Sequence, residues 1–181
     1  CILINGEKKW ISVPTKKSSL NTEISKKIIH NFETFKKLQF KTIFQNYNNH
    51  SNFKDIEELM NFFLTIKTDI LSEFNISILK FVSKKLNFDI KFFNSSDFKI
   101  KKKRTEKILK ILQILDANEY LSPVGAEKYL IEDEFTKRSQ IKLSFSKYKQ
   151  KEYKQKNIKN FISNLSFIDV VANIGWTETE A

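Results

Sequence analysis

The chain contains almost no cysteine, glycine or proline, and these shortages exclude several classes of protein. Of its 181 residues, 1 is Cys, 3 are Gly and 2 are Pro. The single cysteine, Cys1, excludes a disulfide framework within the chain and fits the reducing cytoplasm. Because the glycines are far apart, the sequence has no Gly-rich phosphate loop, no dinucleotide-binding fingerprint and no nucleophile elbow.

Histidine and long apolar runs are also scarce. The 2 histidines are His30 and His50, and neither belongs to a metal-binding spacing. Surface or helix-capping roles are therefore the favoured interpretation for both. No apolar run approaches the roughly 20 residues that a membrane-spanning helix needs. The sequence thus predicts neither a membrane span nor a metal held by histidine.

Phenylalanine and lysine, in contrast, are abundant. With 40% hydrophobic residues and 17 Phe, the chain can bury a substantial core, and its length suits a single domain. Its formal net charge of +11 attracts anions, which include nucleotide diphosphates as well as RNA or DNA. However, the lysines are spread along the polar faces of the predicted helices, and no arginine-rich reading helix or aromatic RNA-binding motif is present. Nucleic acid is therefore an unfavoured partner.

The apolar periodicity predicts an α/β domain of short strands and amphipathic helices, with a mixed α+β arrangement as the alternative. Helices are predicted at 32–47, from Ser51 or Asn52 through Leu64, around 76–86, at 102–115, from Ser122 through Tyr129, and at 165–174. Strands are predicted at 23–29, 88–92, 120–121 and 141–145. In addition, the extended runs 2–4 and 10–13 flank Asn5-Gly6, a dipeptide typical of a hairpin turn.

The segment YLSPVGAEKYL, residues 120–130, allows two interpretations. Serine at the N-cap and proline at the first helical position are both favoured at helix starts, and this alone explains Ser122 and Pro123. The same geometry would present free N–H groups and the positive end of the helix dipole to a phosphate or carboxylate. Gly125 would then let a ligand approach the backbone. Local chemistry favours the simple helix start, and the anion site is the alternative.

The segment LSFIDVVANIG, residues 165–175, also has two interpretations. Ser166 and Asp169 have the spacing of a capping box, which would explain both residues. Asp169 and Asn173, four positions apart, share one face of an otherwise apolar helix. A buried carboxylate beside an amide needs polar partners and would be an anchor for a substrate. Both interpretations stay open at this point.

Taken in order, these segments resemble the WbqC-like protein family over essentially the whole chain. The matching residues are Ile2–Gly6, Trp10–Pro14, Phe35–Lys37, Tyr47, Phe53, Tyr120–Ser122, Gly125, Tyr129–Leu130, Tyr153, Gln155, Phe161, Leu165–Asp169, Asn173 and Gly175. The resemblance implies a cytoplasmic bacterial protein encoded among genes for O-antigen and other surface polysaccharides. It also implies modification of a nucleotide-linked amino sugar, for instance by acyl or aminoacyl transfer.

The resemblance further implies a set of site residues. Those expected to contact a nucleotide-sugar substrate are Tyr120, Ser122, Gly125, Tyr129, Tyr153, Gln155 and Asn173. Asp169 is expected to orient the substrate amine or to act as the base. The cofactor, the acyl donor, the acceptor sugar and the oligomeric state stay open. The alternative function is a non-catalytic basic module that binds nucleic acid or an acidic partner.

The sequence departs from the family pattern at its start. Family members open with a His-Gln-Pro block and an Asp-Asp-x-Gln-Phe block before the hairpin, and neither block is present here. The chain, 1–181, is therefore interpreted as a single WbqC-like domain that lacks its N-terminal segment. Under this hypothesis, the acid–base histidine and its carboxylates lie upstream of Cys1. Phe35 also replaces a common tryptophan, and the spacing from Gln155 to Phe161 is one residue longer than usual.

Overall fold

The computed structural model of the chain describes residues 1–179. Within them, contacts define two compact units, one formed by Cys1–Ile90 with the segment that begins at Gln150, and the other by Lys91–Lys149. The described residues form seven α-helices and two small sheets, which confirms the predicted mixed α/β class. The single-domain organisation stays a prediction.

The elements are short and are separated by turns and extended segments. The strands are β1 (Ile2–Ile4), β2 (Glu7–Lys9), β3 (Glu119–Pro123) and β4 (Lys142–Ser146). The helices are α1 (Phe32–Tyr47), α2 (Phe53–Thr65), α3 (Leu71–Lys85), α4 (Arg104–Ile114), α5 (Glu127–Glu132), α6 (Phe135–Arg138) and α7 (Phe167–Thr179). Two 3₁₀ turns, Ile24–Lys26 and Val124–Ala126, complete the regular structure of residues 1–179.

In the first unit, β1 and β2 form the predicted hairpin, but with a different second strand. Asn5 and Gly6 have φ values of 52° and 78°, the left-handed pair that a two-residue type I′ turn requires. Because Ile4 pairs with Glu7 directly across this turn, the second strand begins at Glu7. Its prediction at 10–13 is wrong, and Trp10 is 82% exposed.

The core of the first unit lies where α1, α2, α3 and α7 bury their apolar faces. The bounds of α1 and the start of α2 agree with the predicted ones, because the apolar residues recur with the helical period. The buried residues of α2 are Ile56, Leu59 and Met60. In α3 the buried residue is Phe74, whereas Leu79, an apolar residue within the predicted helix around 76–86, is exposed.

A buried lysine closes the C-terminal end of α2. Lys36 is 3% exposed, and its Nζ donates to the main-chain oxygens of Leu64 and Ile66 at 3.1 and 2.7 Å. These carbonyls have no partner within the helix, and a cation is favourable at this end of the helix dipole. Glu33, at 2.9 Å from Nζ, balances the charge.

Two predicted strands of the chain are absent from the described residues. The segment 23–29 contains a 3₁₀ turn, and only single bridges form beside it, from Ile29 to Thr15 and from Ile28 to Ile70. The segment 88–92 has no regular structure, and Phe88, Ile90 and Phe92 are exposed. An alternating pattern identifies a strand only where a neighbouring strand extends the hydrogen-bond ladder over several residues. The neighbours of Ile28 and Ile29 each form a single bridge, and the segment 88–92 forms none in residues 1–179.

The second unit, Lys91–Lys149, contains a two-stranded parallel sheet and three helices. Strands β3 and β4 pair from Glu119↔Lys142 through Pro123↔Ser146, which confirms the predicted strand at 141–145 to within a residue at each end. The helix predicted at 102–115 is confirmed as α4. The core of the unit consists of Leu109, Leu112, Ala126, Leu130 and Phe135.

The predicted helix start at Ser122 is wrong. Ser122 and Pro123 belong to β3, where Ser122 is fully buried opposite Phe145. Pro123 has an extended backbone, with φ −64° and ψ 146°, and α5 begins only at Glu127. The parallel ladder with β4 overrides the local preference of Ser-Pro for a helix start, because five residues gain main-chain partners by staying extended.

Candidate functional site

A buried carboxylate lies at the centre of the first unit. Asp169, on the first turn of α7, is 0% exposed. The Tyr47 hydroxyl donates to its Oδ1 at 2.9 Å, and the Tyr153 hydroxyl donates to its Oδ2 at 2.7 Å. In residues 1–179, no lysine or arginine pairs with Asp169. Hydrogen bonds and the positive end of the α7 dipole therefore stabilise its charge.

Two side-chain amides complete the coordination of this carboxylate. Gln155 Nε2 and Asn173 Nδ2 each donate to Asp169 Oδ2 at 3.3 Å. Asn173 Nδ2 also donates to the main-chain oxygen of Asp169 at 2.7 Å, as its position four residues later on the same helix allows. We call Asp169, Tyr47, Tyr153, Gln155 and Asn173 the Asp169 cluster.

Each amide of the cluster also fixes a main-chain segment. Gln155 holds a loop, because its Oε1 accepts from the Ile162 N–H at 2.8 Å and its Nε2 donates to the Ile162 oxygen at 2.9 Å. Asn173 Oδ1 accepts from the Lys156 N–H at 2.9 Å. The residues on both sides of Tyr153 are therefore held in place relative to α7.

The capping-box interpretation of this segment is half right. Ser166 Oγ accepts from the Ile168 N–H at 3.3 Å, so Ser166 caps α7 as predicted. The Asp169 carboxylate does not bond back to the Ser166 N–H, which donates instead to the Cys1 oxygen at 2.7 Å. The Asp169 carboxylate points into the cluster instead. The structure therefore agrees with the interpretation of Asp169 as a buried polar anchor.

Tyr47 connects the cluster to the hairpin. As the last residue of α1, it is 1% exposed, and its hydroxyl accepts from the Leu3 N–H at 2.9 Å while donating to Asp169. Burial, reinforced by the negative charge of Asp169, raises the pKa of Tyr47 well above its usual value. The phenol therefore stays protonated and acts as a permanent hydrogen-bond donor to the carboxylate.

His50 lies at the edge of the cluster. Its ring is 4.9 Å from the Tyr47 ring, and its Nδ1 is 3.2 Å from the Tyr47 main-chain oxygen. A carbonyl oxygen can only accept, so Nδ1 carries the hydrogen, and in the neutral ring Nε2 carries the lone pair. Partial burial and the nearby Lys156 lower the pKa of His50, which favours the neutral ring at pH 7.

The C-terminal end of the helix that carries Asp169 is fixed by α2. Gly175 has φ 78° and interrupts α7, directly after the predicted helix at 165–174, and glycine is common in this conformation at helix ends. The Trp176 N–H donates to Asp55 Oδ2 at 3.1 Å, and Asn52 Nδ2 donates to the Asn173 oxygen at 3.1 Å. A Cβ at Gly175 would lie 3.2 Å from oxygens of both Asn52 and Asp55, so glycine is required here.

The structure divides the predicted site residues between the two units. Asp169, Tyr153, Gln155 and Asn173 come together in the first unit. The others, Tyr120, Ser122, Gly125 and Tyr129, belong to the second unit.

Within the second unit these four residues have separate surroundings. Tyr120 packs against Phe135, with ring centroids 5.9 Å apart, and Ser122 is buried in β3. Gly125 and Tyr129 line a shallow depression beside Arg104, whose guanidinium lies 5.7 Å from the Tyr129 ring centre. The helix start that was expected to face an anion at Ser122 is absent, because Ser122 is in a strand and α5 begins at Glu127.

Sequence reasoning missed the roles of Tyr47 and His50. Tyr47 occupies an apolar position of α1 and was indistinguishable from a core residue. His50 does cap a main-chain carbonyl, as one of its predicted roles allows, but its proximity to Asp169 depends on packing between α1 and α7. No spacing in the sequence signals that contact.

The structure gives two further results on ligands and membranes. Among residues 1–179, no group of three or more His, Cys, Asp or Glu side chains could hold a metal ion. In the same range, no helix has both the length and the apolar character that crossing a membrane requires.

The comparisons with known proteins agree with the sequence resemblance. No curated protein and no solved structure matches the chain. The model of the WbqC-like protein family, in contrast, matches residues 1–181. Since this match includes both the hairpin and the segments that form the Asp169 cluster, the chain belongs to the WbqC-like protein family.

Proposed function

We propose that this protein is a cytoplasmic enzyme of bacterial surface-polysaccharide (O-antigen) biosynthesis that modifies a nucleotide-linked amino sugar by acyl or aminoacyl transfer. Membership of the WbqC-like family supports the biological role. The observation that carries the enzymatic part is the Asp169 cluster, with the half-buried His50 at its edge. A buried charge held only by neutral donors, beside a histidine of lowered pKa, is typical of functional sites.

Acyl transfer to an amino sugar requires a base that takes a proton from the attacking amine. His50 has the properties of such a base, because its ring is neutral at pH 7 and its Nε2 carries the lone pair. Its Nδ1–H is fixed by the Tyr47 oxygen, which sets the orientation of the ring. We assign the base to His50.

Asp169 then acts through its neighbours. Its carboxylate accepts four hydrogen bonds from the cluster and is fully buried, so it holds the Tyr47 and Tyr153 phenols in place. Tyr153 and Asn173 are the partly buried members of the cluster, so these two can meet a substrate. Asp169 is therefore a positioning residue, and Tyr153 and Asn173 are the proposed substrate contacts.

The substrate carries a diphosphate, and basic residues of the first unit can attract it. Lys154, Lys156 and Lys159 are exposed next to Tyr153, and positive charge clustered near a site raises the local concentration of an anionic ligand. Tyr120, Gly125 and Tyr129 stay proposed as substrate-binding residues. Ser122 is buried, so its proposed contribution is the shape of β3 rather than direct contact.

The test is turnover of a panel of nucleotide-linked amino sugars with acyl and aminoacyl donors, detected as the mass increase of the sugar. His50→Gln is expected to lower kcat at least 100-fold, the usual contribution of a general base. His30→Gln is the matched control, since His30 is exposed and lies outside the cluster. Asp169→Asn is expected to lower kcat as well.

Two outcomes would overturn the proposal. The first is equal turnover in the wild type, His50→Gln and Asp169→Asn. The second is the absence of turnover together with RNA or DNA binding that weakens steeply with salt, which would favour the non-catalytic basic module.

A further inference from the structure

The first unit contains a cavity whose wall is mostly apolar and includes one buried polar atom without a hydrogen-bond partner in residues 1–179. Its volume is about 180 Å³, and its lining includes Phe35, Phe74 and Ile168. Ser12 and Asn75 are the exposed polar residues of the lining, so the cavity opens to solvent beside them. Gln39 also lines it, and Gln39 Oε1 is buried with no hydrogen-bond partner in residues 1–179.

These features define the chemistry of a ligand. An apolar cavity of about 150 Å³ accepts benzene, so this one has the size for a single ring or a short branched chain. A buried carbonyl oxygen without a donor costs free energy of desolvation, and a ligand N–H or O–H would remove that cost. Water is a poor occupant of the interior, because it needs two to four polar partners, whereas Ser12 and Asn75 are exposed and Gln39 Oε1 is the buried polar atom of the wall without a partner in residues 1–179.

We propose that this cavity is a ligand site for a ring-sized apolar group that carries one hydrogen-bond donor, which it directs to Gln39 Oε1. The site is separate from the Asp169 cluster, and the proposal does not depend on the proposed function. The two are nevertheless adjacent along α7: Ile168 lines the cavity, and Asp169 is the next residue. A ligand in the cavity therefore contacts the helix turn that positions the carboxylate.

The chain offers a direct probe of occupancy. It has 1 Met, and that residue, Met60, lines the cavity. The methyl resonance of protein labelled at methionine, assigned by its loss in Met60→Leu, reports on the cavity without other signals from the chain. Phenol and toluene are the two probes, because they have nearly the same shape and only phenol carries a donor.

The variant Gln39→Met removes the carbonyl while keeping side-chain length and helix propensity. Its second methionine resonance is assigned by comparison with the double variant Gln39→Met, Met60→Leu. Both probes are expected to shift the Met60 resonance in the wild type. In Gln39→Met the dissociation constant of phenol is expected to rise about fivefold relative to that of toluene, the effect of one lost hydrogen bond. Using the ratio of the two probes cancels their different hydrophobicities.

A filling variant supplies the second measurement. Ile78 lines the cavity and is partly buried, so the larger side chain of Ile78→Phe would fill the space. This variant is expected to stay helical by circular dichroism and to lose the response of the Met60 resonance to both probes. The proposal is overturned if neither probe moves the Met60 resonance at tens of millimolar, or if Gln39→Met changes both dissociation constants equally. If Ile78→Phe fails to fold, the dissociation constants measured with Gln39→Met still test the proposed ligand site.

Discussion

The two units of this protein differ in the number of hydrogen bonds that their buried polar residues make. In the first unit, Asp169 is buried and accepts hydrogen bonds from four side chains. In the second, Ser122 is equally buried, but its hydroxyl makes only a 3.4 Å contact with the Pro123 oxygen. Burial alone therefore does not mark a site. The number of side chains that converge on a buried group separates an organised cluster from an ordinary strand residue.

The largest expected difference between the units comes from removing these two groups. Asp169→Ala removes the carboxylate that accepts hydrogen bonds from Tyr47, Tyr153, Gln155 and Asn173, and we expect a loss of about 3–5 kcal/mol in the free energy of unfolding. Ser122→Ala is expected to cost less than about 1 kcal/mol, since it removes one weak hydrogen bond. Urea unfolding measures both. Equal losses would contradict the distinction between the two units.

A smaller difference is expected between two glycines, Gly175 of the first unit and Gly125 of the second. Gly175→Ala places a Cβ 3.2 Å from oxygens of Asn52 and Asp55 at a φ of 78°, and we expect a loss of about 1–3 kcal/mol. Gly125→Ala meets no atom within 4 Å and has no positive φ. That variant is expected to change stability by less than about 1 kcal/mol. Thermal unfolding of the pair measures the contrast, and a Gly125→Ala loss as large as that of Gly175→Ala would refute it.

The smallest expected effect is a pH dependence confined to the first unit. The pKa of His50 is lowered from 6.5 by burial and by Lys156, so the unfolded chain binds the proton more readily than the folded one. The contribution of the neutral His50 ring to the free energy of unfolding is fully present above about pH 6.5. It decreases as the pH falls from that value to the pKa of His50 in the folded state.

His50→Gln should remove this part of the pH dependence. Urea unfolding at a series of pH values from 7.5 downward measures the slope, which one proton limits to about 1.4 kcal/mol per pH unit. His30→Gln, at the exposed histidine, should leave the slope as in the wild type. An unchanged slope in His50→Gln would show that His50 is not the group responsible.

The sequence predicted the elements whose signals are local. Helix α1 has the expected bounds because its apolar residues follow the helical period over sixteen positions. The hairpin turn was predicted because Asn-Gly adopts positive φ at both positions. The pair Asp169 and Asn173 shares a face because four residues make about one helical turn.

Apart from the second hairpin strand, which begins at Glu7 instead of residue 10, the failures concern partners that are distant in the sequence. Ser122 was placed at a helix start because Ser-Pro favours one locally, and only the pairing of β3 with β4 overrides it. The segment 88–92 alternates like a strand but has no neighbouring strand in residues 1–179. Tyr47 and Asp169 are 122 positions apart, and no local pattern could have joined them. The sequence could therefore predict the site residues on α7, Asp169 and Asn173, but not their partner Tyr47 on α1.

The burial of Lys36 has a practical consequence for following the folding of this protein by covalent labelling. An amine-reactive acylating reagent needs a free, unprotonated amine that it can reach from solution. The Lys36 amine, which is 3% exposed and bonded to two carbonyls, becomes reachable only when the end of α2 separates from α1. Its neighbour Lys37 is exposed in the folded chain. The labelling of Lys36 relative to Lys37, measured on one peptide by mass spectrometry, therefore reports the opening of the first unit with Lys37 as the internal reference.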